Sequence, residues 1–442
     1  MQKLTGRQLA AVGSMLFGLF FGAGNLIFPV AMGQLAGRNL WAAAAGFLIT
    51  GVGLPLLGVA ALGLSRESGL LALSSRVGRG YGLAFTCALY LTIGPFFAIP
   101  RCATVSYTVG IAPLAPGGGA ALGVFSLAFF AVVLFFSLRP GQILTWVGKV
   151  LNPLFLAFLA VLVLRALAAP LGQAAAVEPA GAYRAAPFAT GLLEGYNTMD
   201  ALAGLAFGIL VVQAIRRLGV RAPGDVAVST VCAGVFSSAL MAGIYLLVTL
   251  VGAQSRGRFA AAANGGEALA RIAAAYFGRA GALILAATVT VACLKTAVGL
   301  ITSCGETFVE IFPHGPSYRV WAVGFCLLSF LIANLGLDAI LAWSQPVLMA
   351  LYPLAIVLIL LTLAGPLYGD DRAVLRGGLG CTAAAAVLEF LRALPAGAAP
   401  AVQPVVDWAA AWLPLYAKGF GWVLPAAVGC AAGLVVRARR SR

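Results

Sequence analysis

Apolar runs long enough to cross a bilayer, about 20 residues each, recur from one end of this chain to the other. No other feature limits the fold as much, because in hydrocarbon every backbone N–H and C=O has to be paired inside the protein. Only 9% of the 442 residues are charged and 62% are hydrophobic, whereas a soluble domain carries about 25% charged residues. Such a chain cannot cover itself in water. It reads as an all-α polytopic membrane protein, and a cytosolic enzyme, a secreted disulfide scaffold and a disordered regulator are excluded.

With Gly, Pro and charge as punctuation, hydropathy predicts about twelve spans, at roughly 9–33, 40–64, 83–109, 119–138, 147–169, 188–215, 227–252, 279–311, 319–337, 343–366, 375–393 and 413–436. The 28 Lys and Arg against 13 Asp and Glu give a net charge of +15. In a soluble protein that excess would point to nucleic acid. Here the basic residues fill short gaps between apolar runs, so they set topology in a lipid bilayer instead. With the N-terminus inside, cytoplasmic segments hold 17 Lys and Arg and the opposite side 9, while Arg101 and Lys295 stay within spans. That asymmetry places both termini in the cytoplasm, as an even number of spans requires.

The eight cysteines form no CxxC pair and lie in apolar runs, which makes them small buried side chains. His314 sits between Pro313 and Pro316 in a loop, with no second imidazole to share a metal. Met1 to Val30 has the basic start of a signal peptide but no small-residue cleavage site, so it is expected to stay as the first helix. Asn264-Gly-Gly-Glu267 offers a cap and an acid for a short helix over Ala268 to Phe277 on the outer face, either a lid or an inert interfacial element.

Polar and helix-breaking residues inside spans need a reason. The first span carries Gly22, Gly24, Asn25 and Pro29, a set that permits irregular backbone, caps a new half-helix and fits its first turns. Tight packing through small residues is the alternative, but packing needs neither the Asn nor the Pro. The sixth span carries Glu194-Gly-Tyr-Asn-Thr-Met-Asp200. Two polar-broken segments five spans apart are a sequence pointer to inverted-repeat transporters. In the third span Arg101 is too central to reach water, so it is expected to clamp carbonyls or an acid, with Glu194 and Asp200 as candidates by type. In the eighth, Thr302 and Ser303 offer oxygens for a small hard cation. Lys295 there is either a proton carrier, a fixed charge in place of a cation, or a snorkelling side chain.

These residues bring a family into view. LFFGAGNLIFP in the first span, GPFFAIPRCATVSY in the third, EGYNTMDALAGLAFG in the sixth and TAVGLITSCGE in the eighth resemble the bacterial branched-chain amino acid:cation symporters, the system II carriers of BrnQ type. The resemblance runs over nearly the whole chain. It implies a LeuT-type fold in a single transmembrane domain: inverted five-helix repeats at roughly 9–169 and 188–366, accessory spans at roughly 375–436, and helices 1 and 6 broken. It implies import of leucine, isoleucine and valine across the bacterial inner membrane, coupled to sodium, with lithium or protons as other coupling ions and no further cofactor.

By the same resemblance, the substrate meets backbone around Gly22, Ala23, Gly24 and Asn25, with Tyr107 beside it. Gly195, Tyr196, Asn197 and Thr198 complete the pocket. Carbonyls of Gly18 and Phe21 with the hydroxyls of Thr302 and Ser303 hold sodium. Arg101, Glu194, Asp200, Lys295 and Glu306 are then coupling or structural charges. The chain departs from the family pattern at Lys295, where a hydroxyl residue is commoner, and at Thr108-Val109, where an acid is expected near Tyr107.

Other classes fare worse. A carrier of the same fold using Lys295 or Glu306 for protons, or moving another solute, is the nearest alternative. A membrane enzyme acting on lipid-linked substrates would need a catalytic cluster, and one His with no GxSxG element supplies none. A channel fits broken helices at mid-depth less well than alternating access.

Overall fold

The computed structural model of the chain describes residues 4–22, 24–65, 67–113, 118–139, 152–395 and 397–440. Among these there is helix and turn but no strand. Seven helices are long and apolar enough to cross a membrane, and an eighth crossing is a bent pair, Pro187–Thr198 with Asp200–Arg217. Two shorter apolar helices, Leu156–Ala168 and Tyr318–Ala333, add to these, and the Gly24–Ser65 stretch holds parts of both the first and the second predicted span.

Span 1 is two helices, Gly6–Phe20 and Gly24–Ala36. Its start lies three residues before the predicted position 9, because Thr5 and Gln8 form a reciprocal capping box. Span 2 joins Leu40–Leu48 to Leu54–Ser65 through a π turn at Ile49–Gly53. Span 3, Arg79–Ile111, contains two π turns and a break at Gly94. Spans 4 and 5 are Gly118–Ser137 and Asn152–Ala168, so the predicted 147–151 lies outside the described residues.

Span 6 is Pro187–Glu194 and Asp200–Arg217, bent by 45°. Span 7 is Pro223–Ser255. The Asn264 side chain caps a helix that runs to Ile311, kinked where Gly278 takes a φ of 62°. The kink divides the expected short helix from span 8. That helix does not float free, since Gly265 abuts the Ile27 carbonyl in span 1. Spans 9 to 12 are Tyr318–Ala333, Leu337–Leu363, Arg372–Arg392 and Val423–Arg440. Span 12 starts ten residues later than the predicted 413, and an additional helix, Ala399–Trp412, precedes it. Leu415 in the left-handed region ends any continuous helix between them.

Many large apolar side chains, among them Leu127, Leu164, Leu327 and Trp412, face outward. In water they would drive aggregation; in a bilayer they meet a solvent of their own kind. The polar residues behave oppositely. Asn25, Arg101, Asn197, Thr198 and Asp200 are all buried within the helix bundle. The eight cysteines are free thiols, and His314 is exposed in the turn after Ile311.

Candidate functional site

The two broken spans meet in the bundle interior. In span 1 Phe21 leaves the helix with an extended backbone. Asn25 is the second residue of the new half-helix rather than its cap. Its side-chain oxygen instead reaches back and accepts from the Gly22 N–H at 2.9 Å. Pro29, lacking an N–H, leaves the Asn25 carbonyl without its intrahelical donor. The break therefore presents backbone groups of both signs. Ala23 lies outside the described residues.

In span 6 the chain tightens into a 3-10 turn at Gly195–Thr198. Met199 then takes a left-handed φ of 63°, and Asp200 opens the second half-helix. A left-handed non-glycine residue costs about 1–3 kcal/mol and persists only where its surroundings hold it. Those surroundings are close. A side chain on Gly195 would stand 2.0 Å from the Thr50 hydroxyl. That hydroxyl, set in the π turn of span 2, donates to the Leu192 carbonyl at 2.7 Å. Tyr196 stacks on Tyr352 of span 10 with centroids 4.0 Å apart. The Thr198 hydroxyl donates to the Gly195 carbonyl at 2.9 Å and accepts from the Asp200 N–H at 3.3 Å.

A side-chain network ties the breaks together. Asn25 Nδ2 donates to Asp200 Oδ2 at 2.7 Å and also contacts the Tyr245 hydroxyl of span 7. Tyr245 in turn donates to the same Asp200 oxygen at 2.9 Å. Span 3 reaches both breaks through Arg101. Its Nη1 donates to the Asn197 carbonyl at 2.7 Å, and its guanidinium lies 5.1 Å from the Phe28 ring centroid. The expected clamp is thus made on a carbonyl; among the described residues Arg101 forms no ion pair with Glu194 or Asp200. Gly24 makes room for it, since a Cβ there would lie 2.8 Å from Arg101 Nη2.

A cavity opens where these parts converge. Gly22, Gly24, Asn25, Arg101, Thr198 and Asp200 supply its polar wall, and Leu19, Phe20, Ile93 and Phe207 are among its apolar residues. Thr296 of span 8 also lines it, facing the spot where a Gly22 side chain would be.

The remaining candidate residues stand further off. Tyr107 packs on Phe125 of span 4 with centroids 5.9 Å apart. Glu194 ends the first half of span 6 beside the Asn197 side chain. Gly18 and Phe21 are buried, with Phe21 stacked on Phe17. The Thr302 hydroxyl donates to the Val298 carbonyl at 2.9 Å and is met from the other side by Tyr318, which places it toward span 9. Ser303 stands beside the Tyr90 hydroxyl. Lys295 is half-buried next to Thr296, and Glu306 is exposed. The sequence reading missed Tyr245, Thr50 and Thr296. Only Thr296 carried a signal, being a hydroxyl residue one position from an intramembrane lysine.

A family profile described as "Branched-chain amino acid transport protein" matches residues 5–440. The branched-chain amino acid permease BrnQ of Lactobacillus delbrueckii subsp. lactis is 54% identical over 430 residues, covering 97% of this chain and 96% of the relative. BrnQ of Bacillus subtilis is 40% identical, covering 100% and 99%. The branched-chain amino acid transport system 2 carrier protein of Pseudomonas aeruginosa is 42% identical, covering 98% and 97%. Among solved structures, Mhp1, a nucleobase-cation-symport-1 family transporter in a closed conformation, superposes with a TM-score of 0.62 at 14% identity over 98% of this chain and 92% of that one. MhsT in complex with L-phenylalanine superposes at 0.56 and 15% identity over 100% and 99%. These two establish the LeuT-type architecture and nothing finer.

Proposed function

The chain belongs to the branched-chain amino acid transport protein family, and from that premise we propose that it imports leucine, isoleucine and valine in symport with sodium by alternating access. It is a carrier and not an enzyme. The observation that carries the reading is the convergence of the two breaks on one cavity with a polar end and an apolar wall. Such a cavity takes a zwitterion with a branched aliphatic side chain. A methylene in an apolar pocket is worth only about 1–3 kcal/mol, so discrimination among the three substrates is poor.

The repeats run at roughly 9–169 and 188–366, each opening on a broken helix, with accessory spans at roughly 375–436. Both termini face the cytoplasm of the bacterial cell, as the Lys and Arg asymmetry supports. Pocket backbone comes from Gly22, Gly24, Asn25 and Gly195 to Thr198. Sodium sits at the end of the first half-helix, on the carbonyls of Gly18 and Phe21. Thr296, which faces Gly22, supplies the hydroxyl from span 8 more directly than Thr302 or Ser303. Proton coupling through Lys295, a partly buried cation within span 8, is the second reading.

Uptake of labelled leucine into proteoliposomes tests this. Accumulation is expected under an inward sodium gradient, with competition by isoleucine and valine. Accumulation under a proton gradient alone assigns the coupling to the second reading. No accumulation under either gradient defeats both.

A further inference from the structure

Arg101 and Asp200 are opposite charges on the wall of one buried cavity, only 4% and 2% exposed. Among the described residues neither belongs to an ion pair. A charge removed from water without a counter-charge is costly. Two buried charges of opposite sign that line the same cavity without pairing directly are matched at once by a ligand carrying a carboxylate and an ammonium on one carbon. Resting on the carrier reading above, we propose that Arg101 receives the substrate's carboxylate and Asp200 its ammonium. The zwitterion is then read by formal charges on spans 3 and 6, not by the backbone of the breaks alone.

The placement of each group supports its role. The Asn197 carbonyl holds Arg101 Nη1 at 2.7 Å, and Nη2 fills the space that Gly24 leaves open. The guanidinium thus stands at the start of the Gly24–Ala36 half-helix, where the backbone dipole also favours an anion. A planar fork of donors matches a carboxylate better than a point charge does. Asp200 Oδ2 accepts from Asn25 and Tyr245. Both donors are neutral, so they orient the carboxylate without cancelling its charge. The apolar wall of Leu19, Phe20 and Phe207 receives the aliphatic end.

Calorimetric binding to the purified full chain tests the assignment with leucine, leucinol, which lacks the carboxylate, and 4-methylpentanoate, which lacks the amine. The wild type is expected to bind leucine about 10- to 100-fold more tightly than either analogue. Arg101→Gln should weaken leucine by a similar factor and leave leucinol unchanged. Asp200→Asn should weaken leucine and leave 4-methylpentanoate unchanged. If each variant weakens leucine and its analogue alike, the two residues only support the fold and the proposal is overturned. If Arg101→Gln melts like the wild type yet binds neither leucine nor leucinol, the arginine only shapes the cavity and its assignment is overturned. Should Arg101→Gln fail to fold, the Asp200 arm decides in the same terms. A wild type that binds no branched-chain amino acid at all defeats the carrier reading itself.

Discussion

The two breaks in this bundle are made by different means. Span 1 opens with small residues and an amide: Phe21 extends, and Asn25 turns back to hold the Gly22 N–H. Span 6 opens with a 3-10 turn and a methionine in a left-handed conformation, held by the hydroxyl of Thr50 and the ring of Tyr352. Each break closes hydrogen bonds within its own segment, Asn25 with Gly22 in one and Thr198 with Gly195 and Asp200 in the other, and the second is also braced from outside by spans 2 and 10. A break braced from outside responds to movement of the helices that brace it. The asymmetry therefore makes span 6 the half that senses the packing of spans 2 and 10, while the polar hub of Asn25, Asp200 and Tyr245 joins both halves.

The largest effect should come from the hub. Asn25→Leu removes the partner of the Gly22 N–H and a donor to Asp200. Each buried group left unsatisfied costs about 1–3 kcal/mol, so uptake should be abolished and the melting temperature should fall. Near-normal uptake with leucine would show that the breaks do not depend on this network. Gly195→Ala should come next, because the new methyl collides with Thr50. Combining it with Thr50→Ala should restore part of the stability and transport, with a coupling on the order of 0.5–3 kcal/mol in a double-mutant cycle. Additive losses would mean that span 2 does not brace the second break.

How much of this was legible beforehand follows the same contrast. Gly22, Gly24, Asn25 and Pro29 announce the first break within one stretch of sequence. The second was marked by its polar residues, but nothing about Met199 signals a left-handed residue, since the conformation comes from its neighbours. Asn25 meets Asp200 and Tyr245 across 175 and 220 residues. A lone tyrosine in the apolar run of span 7 gives no hint of that meeting. The broad pattern of spans was readable because hydropathy is local. The Ala399–Trp412 helix was not, because Pro400 and Pro404 punctuate a stretch too short to be a span.

Smaller effects sharpen the cation side. Thr296→Val keeps the shape but removes the hydroxyl near Gly22, so sodium stimulation of uptake should fall about 10- to 100-fold, which is what one lost interaction with a charged group costs. Thr302→Val should leave sodium dependence close to wild type, since that hydroxyl, besides donating to Val298 as Thr296 does to Ala292, is met by Tyr318 on the side of span 9. The reverse order would move the cation seat along span 8. Tyr245→Phe removes a donor to the Asp200 carboxylate and an acceptor for Asn25, about 1.5–3 kcal/mol for the bond to the charged group. It should lower leucine affinity modestly, read from binding isotherms.

Leucine-dependent melting of the purified protein, wild type against Asn25→Leu, tests most directly whether the joined breaks form the binding site. A ligand at 100 times its Kd stabilises the folded state by about 2.7 kcal/mol. The wild type should melt higher with leucine, more so with sodium present, and the variant should show no leucine-dependent rise. An equal rise in both proteins would place the amino acid elsewhere and contradict the account.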